Sequence, residues 1–248
     1  MKKEKWSSYC YLPGPADIEF VAPMFTVTKN AENRPTNISV NLKEDINSPT
    51  IKYLWFRDTL SAEGAIAKAD GVATESDNAV DIKDLTPGWY SARVVSNLNR
   101  KDKVKGTNEA QIIYAQPVIN SVVPEEGKDK TAFNIDLYKT QELKIVVDVP
   151  LPEGFSSASD ISNALYRNLS YEWQYRRSDS TTWKTVTSNL IGTTNDKLVD
   201  SINNETGSIT VRNIEDMTAY QYRCVVTNTL GDQSVSATLP NDSLFLVY

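Results

Sequence analysis

The 248-residue chain contains no histidine. That removes the commonest general base, the commonest imidazole ligand for metals and the one side chain that titrates near neutrality when unperturbed. No Ser-His-Asp arrangement can be built from it. Cysteine is almost as scarce, with Cys10 and Cys224 alone, so there is no disulfide framework. These two are expected to be unbonded, with Cys224 acting as a small buried hydrophobe in an apolar strand. Glycine is sparse at 10 residues, and no phosphate-cradling glycine loop is present. No apolar run approaches the ~20 residues that cross a bilayer. The basic start, Met1-Lys2-Lys3, is not followed by an apolar stretch, because Ser7, Ser8, Pro13, Gly14, Pro15 and Asp17 intervene. Cys10 fails as a lipobox for the same reason. The expectation is a protein made and left in the cytosol.

What is present points to packed β-structure. Hydrophobic residues make up 40% and charged residues 23%, enough apolar material for real cores at ordinary globular charge. The length fits two domains. A net charge of −6 leaves no basic footprint for nucleic acid. Short alternating segments are predicted as strands at 37–42, 51–57, 89–96, 143–149, 170–176, 208–214 and 220–227. A proline-containing junction, 114–124, sets a boundary near Gln116. The predicted organisation is an extended arm over 1–22, a first sandwich over 23–116, and a second over 117–248 with a long insertion at 150–169. Within that insertion, 160–167 is predicted as a short helix capped by Ser159 or Asp160.

The two halves repeat a pattern. Tyr53-Leu54-Trp55 in the first half matches Tyr171-Glu172-Trp173 in the second, each a strand with an inward tryptophan. The first half continues with Leu85-Thr86-Pro87-Gly88-Trp89-Tyr90, the second with Tyr220-Gln221-Tyr222-Arg223-Cys224. On these residues the second half resembles an immunoglobulin-superfamily domain, with Tyr222 two residues before Cys224 in the tyrosine-corner position. It departs from the family in one respect: 143–149 holds no cysteine to pair with Cys224. The first half resembles the fibronectin-III and PKD-like sandwiches of bacteria and phages. The implied fold class is all-β, two immunoglobulin-like sandwiches in tandem. The implied structural core is Trp55, Tyr90, Trp173, Tyr222 and Cys224. Such folds host many unrelated roles.

Several clusters invite a chemical reading and receive a plainer one. Asp70, Glu75, Asp77, Asp81 and Asp84 lack any calcium-loop spacing, and Asp70-Gly71 and Asp77-Asn78 are expected to serve turns. The run Asn99-Arg100-Lys101-Asp102-Lys103-Val104-Lys105-Gly106 is read as a solvated turn beside an edge strand. Trp89 and Trp183 are expected to pack against neighbouring strands. Neither a catalytic constellation nor a cofactor or metal site emerges, and a non-enzymatic protein is expected.

The resemblance extends to auxiliary and decoration capsid proteins of tailed bacteriophages, crAss-like phages among the candidates. It implies a virion protein, present in many copies and assembled in the host cytoplasm, whose partner is the major capsid protein or another virion protein. A bacterial surface adhesin or carbohydrate-binding module, meeting a host-surface protein or glycan, is the competing implication. The arm supplies the candidate anchor. Lys2, Lys3 and Lys5 give long-range attraction to an acidic lattice. Trp6, Tyr9 and Tyr11 bury large area at low entropic cost, and Pro13 and Pro15 keep the segment extended. The alternative is that the segment forms the first strand of its own sandwich, beginning near Ile18. The insertion at 150–169 is the next candidate contact.

Overall fold

The computed structural model describes residues 15, 17–43, 51–67, 74–76, 81–83, 85–98, 101–125, 131–215 and 219–248. The arm residues Lys2, Lys3, Lys5, Trp6, Tyr9 and Tyr11 lie outside them, as do Cys10, Asp70, Asp77 and Asp84. The chain divides into two compact units between Tyr114 and Ala115, with Ser159–Ser162 grouped with the first.

The first unit carries β1 (Phe20–Lys29), β2 (Pro35–Leu42), β3 (Ile51–Asp58), helix α1 (Ala62–Ala67), β4 (Thr74–Ser76), β5 (Asp81–Lys83), β6 (Gly88–Leu98), β7 (Lys101–Gly106) and β8 (Gln111–Ile113). One sheet runs β1-β2-β5; the other runs β4-β3-β6-β7, with β8 also paired to β6. Side chains alternate along a strand. Ile38 and Val40 of β2, Ile51, Tyr53 and Trp55 of β3, and Tyr90, Ala92 and Val94 of β6 therefore meet in one core. Each large apolar side chain buried this way stabilises the fold by roughly 1.5–3 kcal/mol. The outer face of β3 and β6 is covered locally by α1. Asp58 Oδ1 accepts from the Leu60 and Ser61 N–H groups and Ser61 Oγ accepts from Gly64 N–H. Ser91 Oγ then donates to the Ala65 carbonyl at 2.7 Å.

The first sandwich starts ahead of residue 23, near Ile18 as in the alternative reading of the arm. Ile18 is buried in the first core and β1 begins at Phe20, so residues 17–22 do not belong to an arm. The apolar alternation of Ile18 and Phe20 runs on between charged Asp17 and Glu19. Lys43 N–H donates to the Glu19 carbonyl and Lys43 Nζ pairs with its carboxylate at 2.7 Å, while Lys103 pairs with Asp17.

The second unit carries β9 (Ser121–Pro124), β10 (Ala132–Phe133), β11 (Thr140–Asp148), β12 (Leu169–Arg177), β13 (Lys184–Thr185), β14 (Val199–Asn203), β15 (Ser208–Arg212), β16 (Tyr220–Leu230), β17 (Gln233–Thr238) and β18 (Phe245–Val247). Its sheets run β14-β15-β11-β9 and β10-β18-β16-β12-β13, with β17 also paired to β16. β10 lies parallel to β18, so the segment entering the domain pairs first with one sheet through β9 and then with the other. Leu143, Ile145 and Val147 of β11 face Trp173, Tyr222, Cys224 and Val226 across the core. Both units are immunoglobulin-like sandwiches, and the protein is all-β but for short helical turns.

The insertion differs from expectation. Instead of one helix over 160–167 it forms two 3-10 turns, Ala158–Asp160 and Asn163–Leu165. Ile161, Ser162 and Asn163 are poor helix formers, and eight residues are too few to repay nucleation. Leu165 and Tyr166 are buried in any case.

Candidate interaction surface

The five residues expected in the core are interior. Trp55 and Trp173 are each 2% exposed, Tyr90 4%, and Tyr222 and Cys224 fully buried. Trp55 packs against Phe25 with ring centroids 6.3 Å apart, and Trp173 against Phe245 at 6.1 Å. Trp173 stands opposite Cys224 in the β12–β16 register. Cys224 is a free thiol, and burial pushes its pKa up to about 12. These residues build scaffold and offer nothing to a ligand.

The tyrosine corner belongs to the first sandwich. Tyr90 OH donates to the Thr86 carbonyl at 2.9 Å, and Thr86 N–H returns to the phenol oxygen at 3.3 Å. The Thr86-Pro87-Gly88 turn brings that carbonyl to the phenol hydroxyl. Tyr222, expected to do the same in the second sandwich, makes no hydrogen bond among the described residues. Burial raises its pKa well above the usual phenol range.

The remaining sequence candidates are not brought together. Glu75 lies on β4 and Asp81 on β5, in different sheets. Among the described residues no group of three or more His, Cys, Asp or Glu could hold a metal ion. The described part of the lysine-rich run, 101–106, is strand: all of β7 is exposed at the end of its sheet, and Lys105 Nζ lies 5.6 Å from the Phe20 ring centroid.

One constellation on the outer face of the β16-β12-β13 sheet was not expected. Trp183, just before β13, is half-buried beneath two guanidiniums: Arg176 Cζ is 4.5 Å and Arg223 Cζ 4.3 Å from its ring centroid. The sheet register makes this meeting. Arg176 stands opposite Gln221, and Arg223 opposite Gln174, so the arginines are diagonal neighbours on one face. Each is aimed by a glutamine: Arg176 Nε donates to Gln221 Oε1 at 2.7 Å and Arg223 Nε to Gln174 Oε1 at 2.8 Å. Gln174 Nε2 donates in turn to Glu172 Oε1 at 2.6 Å, and Thr185 Oγ1 reaches the same oxygen at 3.4 Å. The available sequence signal was alternation, which turns Arg176 and Arg223 outward wherever Trp173 and Cys224 turn inward.

No family model and no curated protein matches the chain. Among solved structures it is similar to a two-domain fibronectin type-III segment of chicken tenascin, at 11% identity over 92% of this chain and 100% of that one, with a TM-score of 0.33. It is similar to three N-terminal domains of the bacteriophage RB49 highly immunogenic outer capsid protein, at 15% identity over 85% of this chain and 63% of that one, with a TM-score of 0.40. A third likeness is to the FN1–FN3 domains of chicken CNTN1, at 14% identity over 94% and 66%, with a TM-score of 0.35. The chain thus spans less than two thirds of the latter two, and these likenesses carry no function to it.

Proposed function

We propose that the chain is a non-enzymatic virion protein of a tailed phage, an auxiliary or decoration component that attaches to the capsid lattice and displays its sandwiches. It needs no cofactor. The observation that carries this reading is the way the second sandwich is closed. Cys224 lies against Trp173, and the strand across the core, β11, presents Leu143, Ile145 and Val147 where a bridging cysteine would otherwise stand. Packing alone holds the two sheets together. A sandwich built so folds without oxidation, which suits assembly in a reducing host cytoplasm better than a secreted life. The anchor in this reading is the arm, through Lys2, Lys3, Lys5, Trp6, Tyr9 and Tyr11, and its partner is the major capsid protein.

Mass spectrometry of purified virions from the source tests it. Expected is recovery of the chain at a fixed ratio to the major capsid protein, and loss of co-sedimentation when residues 1–15 are deleted. Recovery in a bacterial cell-surface fraction with none in virions would favour the adhesin or glycan-binding alternative and overturn the virion reading.

A further inference from the structure

We propose that the outer face of the β16-β12-β13 sheet is a docking surface for a carboxylate-bearing segment of a partner protein, with Arg176 and Arg223 as its anion-binding pair and Trp183 as its apolar floor. This rests on the reading of the chain as a protein-binding component and names the surface that would do the binding in the second sandwich.

Two like charges are held side by side, and the one carboxylate that acts on Arg223 from this face, Glu172, forms no ion pair with either arginine among the described residues. Among the described residues neither Arg176 nor Arg223 makes an ion pair. Each spends its Nε on a glutamine carbonyl oxygen and leaves its Nη nitrogens without a partner. The nearest carboxylate on this face, Glu172, is engaged by Gln174 and Thr185. Partial burial, and then the Arg176 charge, hold the Arg223 guanidinium below its ordinary value, against a smaller opposing pull from Glu172. A chain of net charge −6 gains nothing in general solubility from placing two arginines together.

The geometry favours a carboxylate. Guanidinium Nη groups form a planar fork that matches carboxylate oxygens in pairs. The glutamine hydrogen bonds and the ring contacts fix both forks before any ligand arrives, which lowers the entropic cost of binding. Tryptophan and arginine are also the residues most enriched where protein interfaces concentrate their binding energy. The acidic chain excludes a nucleic-acid footprint, leaving a protein's Asp or Glu side chains as the fitting source.

The test uses the full chain, labelled with nitrogen-15, and hexaglutamate as probe. The arginine Nε–H signals of Arg176 and Arg223 and the Trp183 indole signal should shift saturably. Arg223→Gln should weaken binding about tenfold, the factor expected when a charged hydrogen-bond donor is lost. Arg223→Lys, which keeps the charge and the stem, guards against a folding defect and should weaken binding measurably while leaving the thermal midpoint in place. Shifts matched by sodium chloride at equal ionic strength would overturn the proposal. So would saturation by inorganic phosphate with hexaglutamate inert, or an Arg223→Gln protein of undiminished affinity. The titration needs no virion, so its failure leaves particle attachment to be judged separately, and failure of particle attachment leaves the titration standing.

Discussion

Arg212 Nη2 stands 2.6 Å from Asp200 Oδ1, with the arginine side chain 6% exposed. The same guanidinium donates through Nη1 to the carbonyls of Gly192, Thr194 and Lys197 at 3.1, 2.9 and 3.3 Å. One side chain on β15 thus closes the loop that leads into β14.

Removing it should be costly. Arg212→Ala leaves a carboxylate and three carbonyls without their donor, and breaking a buried pair typically costs about 3–5 kcal/mol. Asp200→Asn keeps an acceptor at a partly exposed position, and the loss should be smaller, about 1 kcal/mol. Urea denaturation midpoints measure both. Equal losses would mean that the ion pair, rather than the carbonyl cluster, dominates.

The two tyrosines separate a working hydrogen bond from an idle hydroxyl. Tyr90→Phe loses the bond to Thr86 and should cost about 1 kcal/mol. Tyr222→Phe removes a buried hydroxyl that has no partner among the described residues and should be neutral or stabilising. The comparison is read from chemical denaturation of the two variants side by side.

Trp55→Ala and Trp173→Ala each open a cavity in a separate core and should cost about 3–5 kcal/mol. Amide hydrogen exchange should place the first loss on β3 and β6 and the second on β12 and β16. Rings that truncate without cost would contradict the burial described for them.

Cys224 predicts an alkaline limb. Its thiol is raised from an ordinary 9.0 to about 12 by burial. Below about pH 9 the thiol is protonated in both states and its contribution is fully present. Above that the unfolded chain releases a proton that the folded chain retains, so stability falls until the pH reaches about 12. Tyr222 and Tyr220, also raised by burial, act in the same direction. Cys224→Ala should therefore show a shallower decline over that window in pH-dependent urea midpoints, though it starts from a lower stability.

The sandwich strands were legible because their inward residues announce themselves. Trp55, Trp173 and Cys224 sit in runs that alternate, and the strands at 51–57 and 220–227 were found within a few residues of β3 and β16. Helix α1 escaped notice, since it is six residues long and buries only Ala65. The Trp183 site was invisible for a different reason. Alternation turns Arg176 and Arg223 outward but does not say which outward residues meet, and Arg223 meets Gln174 only through a strand register that links positions 49 apart in sequence. The start of the first sandwich was legible only as an alternative, because Ile18 and Phe20 alternate with the charged Asp17 and Glu19 directly after the proline-containing arm.

The exposed strand β7 bears on how copies of this chain behave when crowded. Lys101, Lys103 and Lys105 occupy alternate positions along β7, the last strand of its sheet among the described residues, and Lys103 is paired with Asp17. An identical margin arriving from a second molecule would have to set ammonium groups against ammonium groups before any backbone hydrogen bond could form. A lysine-bearing strand at this position disfavours edge-to-edge β-pairing between copies.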